Sequence, residues 1–287
     1  MKISPFTPLH FREANESDGL PSRYIQTWAP TDHILIQVIA NVGDTAPTAT
    51  LNNAHTGASL GAIEFMEWQM NTEKVIFFAV LTGMSVGHYT VTIAGKTCDE
   101  FRVTDDAELL ARTTLIQYRF KDNKSREDVV SIIDHMIYFF DFRAPGGFKA
   151  GGYQFGVSNE QFTTQREDVV EMFANDYTIK TFTIGNALGV PPWFAEHLNR
   201  LLTCSYVYFN GDRYTRSDTE TPQIQVLMDG LDSFVFTQML RKAQVLDAKI
   251  EAMNQAIIRR IDDEETTAIY RGVDQTIPNS NINRKID

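Results

Sequence analysis

The chain has 287 residues, of which 43% are hydrophobic and 22% are charged, and its net charge is -11 at pH 7. This length and apolar content allow two ordinary domains with their own cores, and they exclude a chain that is disordered throughout. The negative charge argues against nucleic-acid binding, because phosphate contacts are made by Lys and Arg and the sequence contains no basic run. We therefore expect no nucleic-acid partner.

The first 30 residues contain four prolines, two before and two after a polar segment, EANESDG. Proline removes donors from a β ladder, and the polar segment cannot offset the cost of its own ordering. This composition predicts a proline-rich arm over residues 1–30 that docks on a neighbouring subunit. The sequence shows no apolar core of signal-peptide length and no segment that approaches a membrane span. We expect a protein made in the cytoplasm of the cell that produces it, without a signal peptide and without membrane insertion.

Residues 31–105 contain six short runs of β-forming residues, such as HILIQVIAN and VIFFAVL, with glycine- or asparagine-containing turns between them. Short strands with turn signals at this spacing are typical of an all-β domain. The stretch therefore predicts an Ig-like β-sandwich. The overall fold class that we expect is mainly β, with some α-helix.

Residues 106–231 predict a second β-rich domain with one packed helix. Two consecutive prolines open the segment PPWFAEHLNRLL, where a helix's first turn does not need their missing N–H groups, and its leucines share one face. A helix over residues 191–202 is expected. Asn210-Gly211 lies between two aromatic and β-branched runs, and it predicts a two-residue hairpin turn because both positions of such a turn need positive φ.

No proline or glycine interrupts residues 232–263, and the apolar residues there are spaced alternately three and four apart. This is the spacing of a coiled-coil seam, so we expect a long amphipathic helix followed by a polar tail over residues 264–287. The predicted assembly seam consists of Phe236, Met239, Ala243, Leu246, Ile250, Met253 and Ile257. Association of this helix between subunits is favoured; the alternative is that it packs along its own domain, as most amphipathic helices do.

The sequence contains no recognisable catalytic, cofactor or metal motif. The six histidines are scattered singly, and Cys98 and Cys204 lie far apart and outside any paired motif. Asp141 is the one acidic residue inside an apolar run, YFFDFR, and the pattern places it on the solvent side of its strand. We therefore expect no enzymatic activity, no cofactor and no metal site.

The second domain carries the runs LIQYRF, REDVV, TFTIGNALGVPPWFAEHLNRLL and YVYFNGDRYTR, and the first domain opens with WAPTDHILIQV. Together these runs resemble structural, tail-associated proteins of tailed phages and prophages of gut bacteria. The resemblance implies a virion component without enzymatic activity. It implies assembly with copies of itself and with other virion proteins, and it transfers no functional residue.

Two other functions remain open beside a structural subunit of a phage or prophage tail or baseplate-type assembly. The domain of residues 31–105 could bind a host-surface glycan or a receptor, with Trp28 or Trp68 stacking on a sugar. A glycan hydrolase would need two carboxylates that face each other across a cleft, and the acidic residues are plentiful enough to allow it.

Overall fold

The computed structural model describes residues 1–11, 24–124, 126–185, 189–217, 223–228, 233–243 and 248–260. The described chain is mainly β, with two sheets stacked on each other, a large sheet that closes on itself, a small two-stranded sheet and three helices. None of the three helices in the described residues is both long enough and apolar enough to cross a membrane. The predicted polar tail lies outside the described residues.

Ten strands of the described N-terminal residues form the two stacked sheets. They are β1 (Lys2–Ile3), β2 (Gln26–Trp28), β3 (Ile34–Asn41), β4 (Ala49–Asn53), β5 (Ser59–Ala62), β6 (Met66–Gln69), β7 (Lys74–Leu81), β8 (Gly87–Ile93), β9 (Lys96–Thr97) and β10 (Phe101–Val103). The first sheet has the order β1-β3-β7-β6 and the second has the order β2-β10-β8-β4-β5, with β9 paired to β8. Apolar residues from both sheets share one core, so this half of the chain is a β-sandwich-like unit.

The proline-rich segment is part of this sandwich and not an arm that extends from it. β1 pairs with β3, β2 pairs with β10, and Phe11 forms an isolated bridge with Cys98. Phe6 is fully buried. The short segments between the prolines supply apolar residues and edge strands to the chain's own sheets, and this corrects the prediction of a separate arm for the part that the structure describes.

The central strands β3 and β7 are buried on both faces. Successive side chains of a strand point to opposite faces. Ile36 and Phe77 point into the sandwich core, whereas Leu35 and Ile76 belong to a second core that they share with the C-terminal half of the chain. A strand buried on both faces reads as a continuous apolar run, which explains HILIQVIA. The two halves of the protein therefore meet across one shared apolar layer.

The described residues of the C-terminal half form nine strands and three helices. They are α1 (Ala107–Ala111), β11 (Thr113–Arg119), β12 (Ile132–Ile133), β13 (Met136–Ile137), β14 (Phe140–Thr163), β15 (Val169–Ile184), α2 (Pro192–Leu201), β16 (Tyr206–Phe209), β17 (Asp212–Arg216), β18 (Gln223–Met228), β19 (Ser233–Lys242) and α3 (Ala248–Arg260). The large sheet has the order β15-β14-β11-β16-β17-β19-β18. Because β15 also pairs with β19, six of these strands close into a ring.

α2 and the β16–β17 turn lie where the sequence places them. Pro191 is extended and precedes the first helical turn, and Phe194 and Leu198 are buried in the shared core. Asn210 and Gly211 both have positive φ, at 48° and 85°, and they connect β16 to β17. One amphipathic helix therefore packs against the closed sheet.

The prediction of one long helix over residues 232–263 is wrong. β19 occupies the first part of that stretch, and α3 begins only at Ala248. Phe236, Gln238 and Leu240 are buried at every second position, because alternate side chains of a strand point to the same face of the sheet. β19 pairs with β15 on one side and with β17 and β18 on the other. Pairing with three strands gives this segment backbone partners that outweigh its helix-compatible spacing.

Candidate assembly surface

The most distinctive surface is a two-stranded hairpin, β14 and β15, that projects beyond the closed sheet. Pairing of β14 with β11 ends at Pro145, and pairing of β15 with β19 ends at Ile179. The ladder between β14 and β15 nevertheless continues to Thr163 and Val169. Among the described residues, the outer edges of this distal ladder pair with no further strand. We call residues 153–179 the projecting hairpin.

The turn at the end of the projecting hairpin is built by local hydrogen bonds. The Thr164 N–H donates to the Asp168 carbonyl at 2.8 Å, and the Asp168 N–H donates to the Thr164 hydroxyl at 3.1 Å. Glu167 takes a positive φ of 65° to complete the reversal. A register shift between Glu160 and Gln161 marks a bulge, which increases strand twist.

Both faces of the projecting hairpin carry exposed apolar side chains. The exposed residues are Tyr153, Phe155, Val157, Phe162, Val169, Val170, Met172 and Phe173, with Phe155 at 81% and Met172 at 67% exposure. The cross-strand register places Phe155 with Thr178 on one face and Phe162 with Val170 on the other. A two-stranded hairpin is at best marginally stable alone in water, and clustered exposed apolar residues mark interaction sites. We therefore interpret this element as a contact surface.

Apart from the bulge, the edges of the projecting hairpin carry none of the residues that usually hinder pairing with another strand. Proteins commonly block free edge strands with lysine or proline. Residues 153–163 contain one charged residue, Glu160, and residues 169–179 contain two, Glu171 and Asp176. Neither stretch contains Lys, Arg or Pro. In the part of the chain that the structure describes, no further strand pairs with either edge of this ladder, so strand pairing with another molecule could extend it.

The base of the projecting hairpin is held firmly by cations packed on aromatic rings. The Arg241 guanidinium lies 4.3 Å from the centroid of the Tyr177 ring. The Lys180 ammonium lies 5.3 Å from the Tyr153 ring and 5.7 Å from the Tyr214 ring. A hydrogen bond with Tyr214 raises the pKa of Lys180. These contacts fix the direction in which the hairpin leaves the closed sheet.

The predicted assembly seam is not continuous. Phe236 and Met239 lie on β19, Ala243 follows that strand, and Leu246 lies outside the described residues. Ile250, Met253 and Ile257 lie on α3. The seam prediction failed because it joined residues of a strand and of a separate helix.

α3 packs on its own chain. Ile250 and Ile257 contact a cluster that includes Tyr208 of the closed sheet. Asn254 is buried, and its Oδ1 accepts a hydrogen bond from Arg119 Nη2 at 2.6 Å. This arrangement corresponds to the alternative in which the C-terminal residues pack along their own domain.

The two tryptophans proposed for sugar stacking have different environments. Trp28 is fully buried in the sandwich core, so its ring cannot stack on a sugar, and that part of the prediction is wrong. Trp68 lies half-buried on the edge strand β6, packed against the shared core. Its role in glycan binding stays a prediction.

Asp141 is fully buried at the junction of the two halves and does not face solvent. Its carboxylate accepts hydrogen bonds from the His33 N–H at 2.9 Å and from Gln117 Nε2 at 3.0 Å. Burial and then the nearby Asp32 raise the pKa of Asp141 to about 7. Arg143 donates two hydrogen bonds to Asp32, at 2.6 and 2.7 Å. The two acids are close together but enclosed, so they tie the halves together and do not face a cleft.

His33 also belongs to this buried network. Its Nδ1 lies 3.8 Å from Asp141 Oδ2, and burial lowers the pKa of His33 to about 4. The imidazole is therefore neutral at pH 7, and the contact is not an ion pair at that pH.

A cleft of about 490 Å³ lies between the N-terminal segment and α2. The His10 ring stacks on the Trp193 ring with centroids 5.0 Å apart. His197 Nε2 lies 3.0 Å from the Tyr118 hydroxyl, and burial lowers the pKa of His197 to about 3. A histidine that stays neutral and buried serves packing here, and it is poorly suited to proton transfer at neutral pH.

The chemistry that the projecting hairpin offers is strand addition: backbone hydrogen bonds along an edge, with apolar side chains on both faces. The sequence signal for it is the alternation in YQFGV, where Tyr153, Phe155 and Val157 occupy every second position. Comparison of the chain with protein-family models, with curated proteins and with solved structures found no match.

Proposed function

We propose that the protein is a structural subunit of a phage or prophage tail or baseplate-type assembly, and that it acts through contacts with copies of itself and with neighbouring virion proteins. The observation that carries the proposal is the projecting hairpin, with its exposed apolar faces and with two edges that pair with no further strand in the described residues. The resemblance of the second domain to tail-associated proteins supplies the class of assembly.

The partner that best fits the hairpin is a second copy of the same chain. In the described residues of each copy, the distal parts of β14 and β15 each have one edge that pairs with no further strand. When β14 of one copy lies beside β15 of the next, the antiparallel pairing already made inside each hairpin is repeated between copies. Such a head-to-tail contact uses both edges of every copy, and it closes into a ring when the rotation allows.

Charge favours this contact surface over the rest of the molecule. The whole chain carries a net charge of -11, but the two edge stretches together carry only Glu160, Glu171 and Asp176. Copies that meet through the hairpins therefore avoid much of the like-charge repulsion that other faces would bring. Burial of the exposed apolar residues supplies the driving force, at about 25 cal/mol per Å² removed from water.

The test compares the oligomeric state of the full chain with that of two charge variants. Phe155→Lys with Met172→Lys places two cations on the projecting hairpin, at side chains that are already exposed. Leu60→Lys with Val86→Lys is the matched control, because it makes the same charge change at exposed apolar residues of the sandwich. In sedimentation velocity, the wild type and the control should form oligomers and the hairpin variant should be a monomer.

A wild-type protein that sediments as a monomer at every concentration would contradict self-assembly, and so would a hairpin variant that keeps its oligomeric state. The tail assignment has its own measurement, which is mass spectrometry of tailed particles purified from a bacterial culture that carries the gene. The protein should be found in the particles, and its consistent absence would remove the tail assignment while leaving self-assembly standing.

A further inference from the structure

Three side chains that are far apart in the sequence converge on the outer face of the sandwich. His55 lies in the turn between β4 and β5, His88 lies in β8, and Glu100 directly precedes β10. Their potential ligand atoms all lie within 4.8 Å of one another. We infer that these three residues form a binding site for one divalent transition-metal ion of the Zn²⁺ class.

The backbone fixes all three positions independently of any ion. His88 is paired with Arg102 of β10, which places Glu100, two residues earlier, on the same face of the sheet. The Ala54 N–H donates to the His88 carbonyl at 3.0 Å, so the turn that carries His55 is joined to His88 itself. The side chain of Asn53 accepts from the His55 N–H at 3.0 Å and shapes that turn. The site is thus part of the sheet's framework.

The side chains are already close to a metal-binding arrangement. The His55 and His88 rings have centroids 4.6 Å apart, and His88 Nδ1 lies 2.6 Å from Glu100 Oε1. An ion would replace that hydrogen bond, and only a small movement of the exposed His55 side chain is needed to complete three ligands. His88 and Glu100 are about one-third exposed, at 31% and 35%, so an ion has access.

The donor set selects the kind of ion. Two imidazoles with one carboxylate suit Zn²⁺ and related transition ions, whereas Ca²⁺ and Mg²⁺ prefer oxygen ligands throughout. Three protein ligands leave a fourth tetrahedral position for water or for a group from another molecule. The acidic charge of the chain also attracts cations.

Sequence spacing could not reveal this site. His55 and His88 are separated by 33 positions, and only the pairing of β4 with β8 brings them together. The inference is independent of the proposed assembly, because the cluster lies on the sandwich and the projecting hairpin belongs to the closed sheet.

The experiment is titration of the tag-free full-length protein with Zn²⁺ by calorimetry, and with Co²⁺ by visible absorption. The wild type should bind one ion per chain, with the strong bands of tetrahedral Co²⁺. His55→Ala and Glu100→Gln should each weaken Zn²⁺ binding by at least about tenfold. His55 is exposed in a turn, so its replacement should leave the fold intact, and circular dichroism checks this.

The control is His135→Asn, which removes an exposed histidine elsewhere and keeps a residue that tolerates the positive φ of 67° at that position. This variant should bind Zn²⁺ as the wild type does. The inference is overturned if the wild type binds neither ion, if both ligand variants bind as tightly as the wild type, or if His135→Asn alone abolishes binding.

Discussion

At the scale of single residues, the buried network around Asp141 explains how two β-rich halves are held together. The Asp141 carboxylate takes one hydrogen bond from the start of β3 and one from β11, so it joins the sandwich to the closed sheet. A buried carboxyl group stabilises such a junction when it is neutral or fully hydrogen-bonded, and its ionisation lowers the stability of the fold.

Asp141 should make the stability of the protein depend on pH. Its pKa is raised in the folded state to about 7, against 3.8 for an ordinary Asp. The stabilisation is therefore fully present below about pH 4 and is lost as the pH rises through 7. In urea titrations between pH 5 and pH 8, the unfolding free energy of the wild type should fall more steeply than that of Asp141→Asn.

The matched control for this experiment is Asp134→Asn, at an exposed position whose positive φ asparagine tolerates. The unfolding free energy of this variant should change with pH as steeply as that of the wild type. Equal slopes for the wild type and Asp141→Asn would show that Asp141 does not carry the dependence.

Residue environments were the hardest feature to predict from the sequence. Asp141 lies in YFFDFR, and such an aromatic run fits a strand buried on both faces as well as one with a solvent side. Trp28 follows a polar, proline-rich segment, yet it is fully buried in the sandwich core. In both cases the neighbouring sheet decides the burial, and the sequence does not say where that sheet lies.

At the scale of elements, β14 is the key strand, because its first residues belong to the closed sheet and its last residues form the projecting hairpin. Gly146 directly follows the last residue of β14 that pairs with β11, and it has a φ of 129°. A Cβ at this position would overlap the carbonyl oxygen of Thr183 on β15. Only glycine allows the two strands to approach so closely here.

Gly146→Ala should therefore destabilise the protein by at least about 2 kcal/mol, because it combines backbone strain with a steric overlap that the neighbouring strand cannot relieve. Gly151→Ala on the same strand is the control, since a Cβ there meets nothing within 4 Å. Chemical denaturation of both variants measures the difference. If both variants had the same unfolding free energy, the close approach of the strands at Gly146 would not contribute to stability.

The elements themselves were predictable to different degrees. The two prolines of α2 and the Asn210-Gly211 turn are local signals, and the structure has a helix and a hairpin at those places. β19 has no such signal, because Phe236 and Met239 fit helical spacing as well as a strand. Its strand conformation depends on β15 and β17, which are distant in the sequence.

At the scale of the whole molecule, the two halves should unfold together. Leu35 on β3 and Ile76 on β7 belong to the same core as Phe142 and Phe209 of the closed sheet. Neither half can expose its side of this layer without opening the other half. Mainly-β composition and the sandwich were predictable from short strands and turns, but this shared layer was not, since the sequence suggested two separate domains.

Calorimetry should therefore show one unfolding transition. Leu35→Ala should lower the midpoint temperature of this transition, because truncating a buried leucine reduces the unfolding free energy by about 3 kcal/mol. Leu60→Ala, at an exposed residue of β5, should leave the transition within about 0.5 kcal/mol of the wild type. Two well-separated transitions in the wild type, or a Leu35→Ala variant that shifts only one of them, would contradict a common core.

The closure of the large sheet by β19 has a consequence for the order of events during translation. β19 is the last strand of the chain in the described residues, yet it pairs with three earlier strands. The N-terminal sandwich has all of its strands once Val103 has left the ribosome. The ring, in contrast, cannot close before Lys242 has been synthesised. Until then, the apolar inner faces of β15 and β17 stay exposed on the nascent chain, where chaperones can bind them.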